Sequence, residues 1–223
     1  MYKRIARVLA PSTVVVLLVW GCSTAPRYVA KHEPWRSQDE QACLASGLVR
    51  ESPFIRTRSS LGGPSPCGAE SPFEVSATMG GRVALRPAAL LRCPMIPQVD
   101  RWVTTVVDPA ARRYFGAPLA EMKVAASYAC RPINHQSGAR LSEHGLANAL
   151  DVSAFILADG RTITVRSGWY GSEAERAFLR SVHRGACDGF TTVLGPHADA
   201  FHRDHFHVDL ARHGRDGSVR ICK

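Results

Sequence analysis

The sequence predicts an α+β fold, with a small central antiparallel sheet, flanking helices and stabilising disulfides. Two runs rich in β-branched residues, DVSAFIL and TITVRSG, flank Asp159-Gly160, a dipeptide that favours a tight β-hairpin. The segment HFHVDLA alternates polar and apolar residues, as a half-buried strand does. Other segments carry apolar residues at helical spacing. Strands and helices are therefore both expected in one domain.

The helical segments have recognisable ends. The segment QVDRWVTTVV predicts an amphipathic helix that ends before Asp108-Pro109, because proline cannot continue the backbone hydrogen bonding of a helix. Its apolar residues recur at helical spacing: Val99, Trp102, Val103 and Val106. The segment SEAERAFLRSVHRGAC predicts a second amphipathic helix, with Ser172 as its N-cap. Gly47 is expected to end a short helix in DEQACLASGLV.

Four segments divide the chain. Residues 1–21 join a basic start to a short apolar run, which is the layout of a secretory signal. Cys22 resembles the lipidated cysteine of bacterial lipoproteins, with plain signal cleavage as the alternative. Residues 22–40 are polar and contain prolines, so they predict a flexible tether. Residues 41–93 are expected to form an N-terminal arm, and residues 94–223 the main domain.

Cysteine usage predicts an oxidising compartment. The chain has seven cysteines, and six remain when Cys22 is set aside: Cys43, Cys67, Cys93, Cys130, Cys187 and Cys222. None forms a C-x-x-C pair, which argues against a thiolate zinc site or a thioredoxin-like motif. Three disulfides are the better interpretation. The pairing stays open, with a weak preference for Cys43 with Cys67, which would close a local loop.

The charge pattern limits the class of partner. The formal net charge is +9 with histidines neutral. No basic helix and no Lys/Arg block interleaved with aromatic residues is present, so nucleic acid is not an expected partner. Attraction to an anionic cell envelope is one interpretation, and a basic surface without a partner is the other. We expect a monomer.

Two short stretches predict a metal site. In a strand HFHVDLA, the side chains of His205, His207 and Asp209 point to one face, away from the apolar residues between them. The stretch LSEHGLANALDV places His144 in a loop and Asp151 at the start of a strand. Together with His207 they would form a site of two histidines and one carboxylate, with a fourth position open as in catalytic zinc sites. The alternatives are a surface histidine for His144 and a strand-start cap for Asp151.

Residues near these stretches suggest further roles. Asp204 precedes His207 by three positions, and its carboxylate could take a proton from water and pass it to a leaving amine. His202 lies two positions before Asp204. Trp169 and Tyr170 follow the predicted hairpin and could wall a peptide groove, although packing in the core or at its rim is the more frequent role of such residues.

The stretch that contains His144 and Asp151 resembles the signature of a known group of proteins. The stretch LSEHGLANALDV resembles the Ser-x-His-x-x-Gly-x-Ala-x-Asp signature of zinc D-Ala-D-Ala carboxypeptidases and peptidoglycan endopeptidases. This group includes lysostaphin-like peptidases and the hedgehog signalling domain. The matching residues are Ser142, His144, Ala147, Ala149 and Asp151. Ala147 stands where the signature has glycine. The resemblance implies the fold of that group, with Zn²⁺ bound by His144, Asp151 and His207.

The same resemblance implies roles for the remaining residues. Asp204 would act as general base and then as general acid. Arg131 and His202 would stabilise the developing oxyanion, and Arg131 would also contact the substrate. Ser142 would bind substrate or a neighbouring group, and His205 would orient Asp204 or support a metal ligand.

A closer resemblance covers most of the chain. The segments SYACRP, SEHGLANALDVSAF and TVLGPHADAFHRDHFHVDLA are similar to the C-terminal domain of bacterial extensin-like proteins, over residues 40 to 223. We therefore expect an exported zinc peptidase of the periplasm or cell envelope, anchored to a membrane by lipid, that acts on peptidoglycan peptides. The alternatives are a non-catalytic envelope-binding module that keeps the metal for structure, and an amidase with another substrate.

Overall fold

The computed structural model describes residues 28–61 and 66–223, so the predicted signal segment and Cys22 lie outside the described residues. The helices are α1 (Trp35–Ser46), α2 (Met95–Trp102), α3 (Asp108–Phe115), α4 (Val165–Gly168) and α5 (Glu173–Ala186). The strands are β1 (Ile55–Thr57), β2 (Phe73–Thr78), β3 (Val83–Leu91), β4 (Leu119–Ala126), β5 (Ala149–Leu157), β6 (Thr162–Thr164), β7 (Thr192–Leu194), β8 (Phe206–Asp209) and β9 (Ile221–Cys222). Within the described ranges, no helix has both the length and the apolar character to cross a membrane.

The strands form one mixed sheet in the order β1-β2-β3-β4-β5-β8-β7-β9, and β6 pairs with β5. The prediction of a small antiparallel sheet was wrong, because β3 pairs with β4 in parallel and so does β7 with β9. The parallel pairing of β3 with β4 requires a crossover, which α2 and α3 provide. The predicted arm supplies β1 to β3, so the sheet continues across the boundary expected at residue 93.

Aromatic side chains join the helices to the sheet. Phe155 of β5 contacts Trp102 of α2 and Phe178 of α5 edge-to-face, with ring centroids 6.4 and 5.3 Å away. The indole N–H of Trp102 donates to the carbonyl of Val182, so this buried polar group is satisfied. The same core continues to β8 through Phe206, whose ring lies 6.2 Å from that of Phe155. Strand β8, which carries His207, is therefore held by a packed core.

The helix predicted to end before Asp108-Pro109 continues to Phe115 instead. A π-helical turn, Val103–Val107, joins α2 to α3, and within it the N–H of Asp108 bonds to the carbonyl of Val103. Pro109 then falls in the first turn of α3, where a missing N–H is tolerated. The wider turn is therefore what lets the helical path pass the proline.

Three disulfides are present, as predicted, but their pairing differs from the preferred one. The pairs are Cys43–Cys93, Cys67–Cys130 and Cys187–Cys222. Cys43 lies on α1, which packs beside the end of β3. The loop of Cys67 instead meets the turn of Gly145, where Gly68 N–H bonds to the carbonyl of that residue. Cys43 and Cys67 are thus kept apart by tertiary packing rather than joined by their closeness in sequence.

Residues 28–40 do not form a free tether. The backbone of Val29 bonds to Ala139 and Leu141, and α1 begins at Trp35. Glu40 is buried and pairs with Arg92 at 2.8 Å. Arg36, Asp39 and Glu40 of this segment form ion pairs with residues elsewhere in the domain.

Candidate metal centre

Three predicted metal ligands converge where β5 pairs with β8. His144 lies in the 3₁₀ turn Glu143–Leu146, and Asp151 and His207 face each other in the antiparallel register. Asp151 Oδ1 is 2.9 Å from His207 Nδ1, and Asp151 Oδ2 is 3.1 Å from His144 Nε2. The two ring nitrogens are 3.1 Å apart. Only 1% of His144, 4% of Asp151 and 8% of His207 is exposed, so water does little to screen these groups.

The outer nitrogen of each imidazole already has a partner. His144 Nδ1 lies 2.6 Å from the carbonyl oxygen of Ser127, which can only accept, so Nδ1 carries the hydrogen. His207 Nε2 lies 2.9 Å from the Asp209 carboxylate and donates to it. In their neutral forms both rings therefore turn a lone pair toward the carboxylate of Asp151. Three ligand atoms that each present a lone pair at this distance repel one another unless a cation lies between them.

The pKa values of His207 and Asp151 also indicate that positive charge stabilises this cluster. Burial lowers the pKa of His207, but hydrogen bonds to Asp151 and Asp209 outweigh burial and raise it to about 10. Burial raises the pKa of Asp151, yet its contacts with the imidazoles of His144 and His207 hold it far below its usual range. In the chain alone, a proton on His207 supplies the missing charge. The donor set of two imidazoles and a carboxylate, each imidazole with an outer acceptor, also fits zinc.

Zinc binding to this cluster is expected to release about one proton per ion near pH 8. The metal-free His207 is protonated there because its pKa is about 10, and a metal needs the lone pair that this proton occupies. The release should fall toward zero as the pH rises past that pKa, since the proton has then already left. Titration calorimetry in buffers of different ionisation enthalpy measures it. Zinc binding without proton release at pH 8 would contradict His207 as a ligand.

The cluster opens into a cavity of about 470 Å³. Arg131, Ser142, His202 and His205 also line this cavity, so the fold brings these predicted site residues to the three predicted ligands. The hydroxyl of Ser142 accepts the backbone N–H of His144 at 3.4 Å and caps the 3₁₀ turn. Ser142 therefore helps to shape the turn that presents His144.

Asp204 lies elsewhere. It lines a neighbouring surface cleft instead of the cavity, and 57% of its side chain is exposed. Its carboxylate bonds to His205 Nδ1 at 2.8 Å, while His205 Nε2 lies 3.6 Å from Asp151 Oδ2. Asp204 lies in the turn that precedes β8, so the alternation of the strand does not fix the direction of its side chain. His205 thus occupies the position beside the cluster that was expected for Asp204.

A second pair of aspartate and histidine flanks the cluster. Asp199 Oδ1 lies 2.7 Å from His202 Nδ1, and the ring of His202 is 5.8 Å from that of His207. Burial lowers the pKa of His202, and the hydrogen bond to Asp199 only partly offsets burial. The imidazole is therefore neutral at pH 7 and is oriented from the side away from the cavity.

Sequence reasoning assigned no role to three groups at this centre. The predicted strand has Asp209 and His207 on the same face. Their spacing of two residues was the signal that could have indicated a contact between them. Asp199 lies in a loop, where no periodicity predicts direction. Ser127 acts through its backbone carbonyl, so its side chain carries no signal at all.

A family match covers most of the chain. The profile described as "Extensin-like protein C-terminus" matches residues 41–223. The chain belongs to this extensin-like family. Comparisons with curated proteins and with solved structures find no match. The extensin-like resemblance is thus confirmed, while the more distant resemblance to zinc peptidases stays a prediction.

In this extensin-like chain, Ala147 stands where the zinc peptidase signature has glycine. Ala147 ends the 3₁₀ turn in the left-handed region, with φ 51°. That conformation costs an L-residue with a Cβ atom about 1 kcal/mol, and glycine adopts it freely. Two backbone hydrogen bonds support it here, from Ala147 N–H to His144 and from Arg92 N–H to Ala147. Ala147 therefore holds a left-handed conformation at the end of this turn without being a glycine.

A residue that precedes the region of the family match also holds the turn of His144. Arg36 of α1 donates to both carboxylate oxygens of Glu143, at 2.6 and 2.5 Å. Glu143 directly precedes His144 and also accepts from Asn148 Nδ2 at 2.6 Å. The family match begins at residue 41. The segment predicted to be a tether therefore helps to position a predicted metal ligand.

Proposed function

We propose that this extensin-like chain is an exported zinc-dependent peptidase that acts on the peptide stems or cross-links of peptidoglycan. The observation that carries the proposal is the convergence of His144, Asp151 and His207 at a cavity lined by further imidazole and guanidinium groups. The similarity of SEHGLANALD to the signature of zinc peptidases supports the same assignment.

The ion and the surrounding side chains would have different roles in peptide hydrolysis. Zinc held by the three ligands would polarise a substrate carbonyl and activate water. His205 can take up a proton at Nε2, and Asp204, bonded to Nδ1, stabilises the imidazolium that forms. The same imidazole can then donate that proton to the leaving amine. Asp204, expected from the sequence to be the base, would instead orient the base.

The cavity walls suit the remaining tasks. Arg131 can stabilise negative charge that develops on the substrate oxygen. His202 donates its Nδ1 hydrogen to Asp199, so it would add to this stabilisation only after its Nε2 takes up a proton. Arg131 and Arg140 both line the cavity and favour a substrate that carries carboxylates. The peptide stems of peptidoglycan are substrates of this kind.

The location follows from the proposed export. Lipidation at Cys22 would anchor the chain to a membrane in the periplasm or cell envelope, next to the peptidoglycan. The three disulfides persist in such an oxidising compartment. We propose that the chain acts there as a monomer.

A second candidate is a non-catalytic envelope-binding module in which the metal only stabilises the fold. The exposed position of Asp204, away from the cluster, favours this alternative, because the predicted acid/base carboxylate does not reach the ligands directly. Under this proposal the cavity would bind peptidoglycan peptides without cutting them.

Metal content and hydrolysis, measured on one preparation, test the proposal. Residues 23–223 with formed disulfides are purified, their bound metal is quantified, and muropeptides are added with chelator, without it, and after zinc is restored. We expect about one zinc per chain, and cleavage that chelator abolishes and zinc restores. Zinc without cleavage of any muropeptide would support the binding module. A chain that binds no zinc would contradict both candidates.

A further inference from the structure

A surface cleft of about 600 Å³ adjoins the metal cavity. Phe201 lines both of them, so the two spaces share this residue as part of their walls. Tyr170, Arg166 and Arg203 also line the cleft, together with Asp204, which bonds to His205 beside the cluster. A ligand that filled both spaces would lie across Phe201.

Two aromatic rings of this cleft are left open to solvent. Tyr170 is 68% exposed and Phe201 is 50% exposed. The preceding residue, Trp169, is by contrast buried and packs against Phe206 with ring centroids 5.7 Å apart. The sequence allowed either a groove wall or core packing for Trp169 and Tyr170. In the structure, Trp169 lies in the core and Tyr170 lies at the surface. Exposed aromatic rings beside a site offer apolar area for a partner to cover.

The backbone of Phe201, at the edge of the cleft, is held by a hydrogen bond. Asp199 Oδ1 accepts the backbone N–H of Phe201 at 2.8 Å and the Nδ1 hydrogen of His202 at 2.7 Å. One carboxylate therefore fixes both the edge of the cleft and an imidazole of the metal cavity. A backbone that is already ordered loses little conformational freedom when a ligand binds.

The charges around the cleft favour an acidic or hydrogen-bonding partner. Arg166 and Arg203 are exposed and contribute two guanidinium groups. The one acidic residue that lines the cleft, Asp204, is bonded to His205. Guanidinium groups donate several hydrogen bonds and suit hydroxyl, amide and carboxylate oxygens alike.

From these features we infer that the cleft binds a sugar ring of the glycan strand, while the attached peptide passes over Phe201 to the metal cavity. The C–H face of a pyranose stacks on an aromatic ring, and its hydroxyl and acetamido oxygens accept hydrogen bonds from Arg166 and Arg203. The inference rests on the proposed function and deepens it. A peptide still attached to glycan is then a better substrate than a free peptide, because it also occupies the cleft.

Binding of peptide-free glycan strands to the wild type and to Tyr170→Ala tests this inference. Tyr170 does not line the metal cavity, so hydrolysis of free stem peptides should stay unchanged in the variant. We expect glycan binding to weaken about fivefold to tenfold, the usual effect of losing one aromatic contact. Leu48→Ala is the matched control, because Leu48 is 73% exposed but lines a different cleft.

Two results would overturn the inference: no glycan binding by the wild type, or equal glycan binding by the wild type and Tyr170→Ala. In the second case, binding of acidic peptides or anionic lipid vesicles that depends on Tyr170 would identify a different ligand for the cleft. Failure of the proposed function is a separate result, since it requires that the wild type cut no muropeptide, whatever its glycan binding.

Discussion

Replacing His144 with alanine is expected to leave the chain without bound zinc and without hydrolytic activity. The change removes one of three donors that lie 2.9 to 3.1 Å apart. Asp151 and His207 remain hydrogen-bonded to each other, an arrangement that a proton satisfies without a metal. Elemental analysis of the purified chain and a muropeptide assay measure the two losses. Stoichiometric zinc in a folded His144→Ala chain would contradict the assignment of this ligand.

Asp204→Ala is the matched control for that experiment. Asp204 is no member of the donor set, so the zinc content should stay at the wild-type level. Hydrolysis should fall by about 10² to 10⁴, because His205 loses the carboxylate that orients it and stabilises its charge. Full hydrolysis by Asp204→Ala would exclude a part for this pair in catalysis. The two variants together separate metal binding from proton transfer.

Asp209→Asn is expected to weaken zinc binding by about 10-fold to 100-fold. Asp209 Oδ2 accepts from His207 Nε2 at 2.9 Å, and its other oxygen accepts the N–H of Ala211. Asparagine has nearly the same size and can keep one of these bonds. It lacks the negative charge that makes the His207 imidazole a stronger ligand. Competition with a chromophoric chelator measures the affinity.

Asp199→Asn makes the same chemical change at a carboxylate that also holds a histidine. Its partner is His202, which is not one of the three predicted ligands, so zinc affinity should fall much less than in Asp209→Asn. A similar loss in both variants would point to the overall charge of the cavity instead of the bond between Asp209 and His207. Thermal unfolding of the metal-free chains shows whether either change affects the fold.

Elements defined by local chemistry were predicted correctly. The hairpin of β5 and β6 turns at Asp159-Gly160, as its dipeptide indicated. Helix α5 begins at the Ser172 cap, where Glu175 completes a capping box. Gly47 ends α1 in the left-handed conformation. A cap or a tight turn involves residues within a few positions of one another, so its signal is present in the sequence itself.

Features that depend on distant contacts were predicted less well. The parallel pairing of β3 with β4 and the joining of β1 to the same sheet depend on how a crossover packs. The disulfide partner of Cys43 depends on where α1 docks. Cysteine number and spacing leave such pairings open, since many connectivities are compatible with one sequence.

The sequence alone determined the types and spacing of the groups at the candidate site. The alternation in β8 placed His207 and Asp209 on one face, and the motif around His144 and Asp151 named the other two donors. Only the tertiary structure decided which groups surround them. It turned Asp204 away from the cluster and brought an arginine of α1 to the turn of His144. The reason is that residue order sets local direction, whereas distance between remote side chains depends on how the sheet and helices pack.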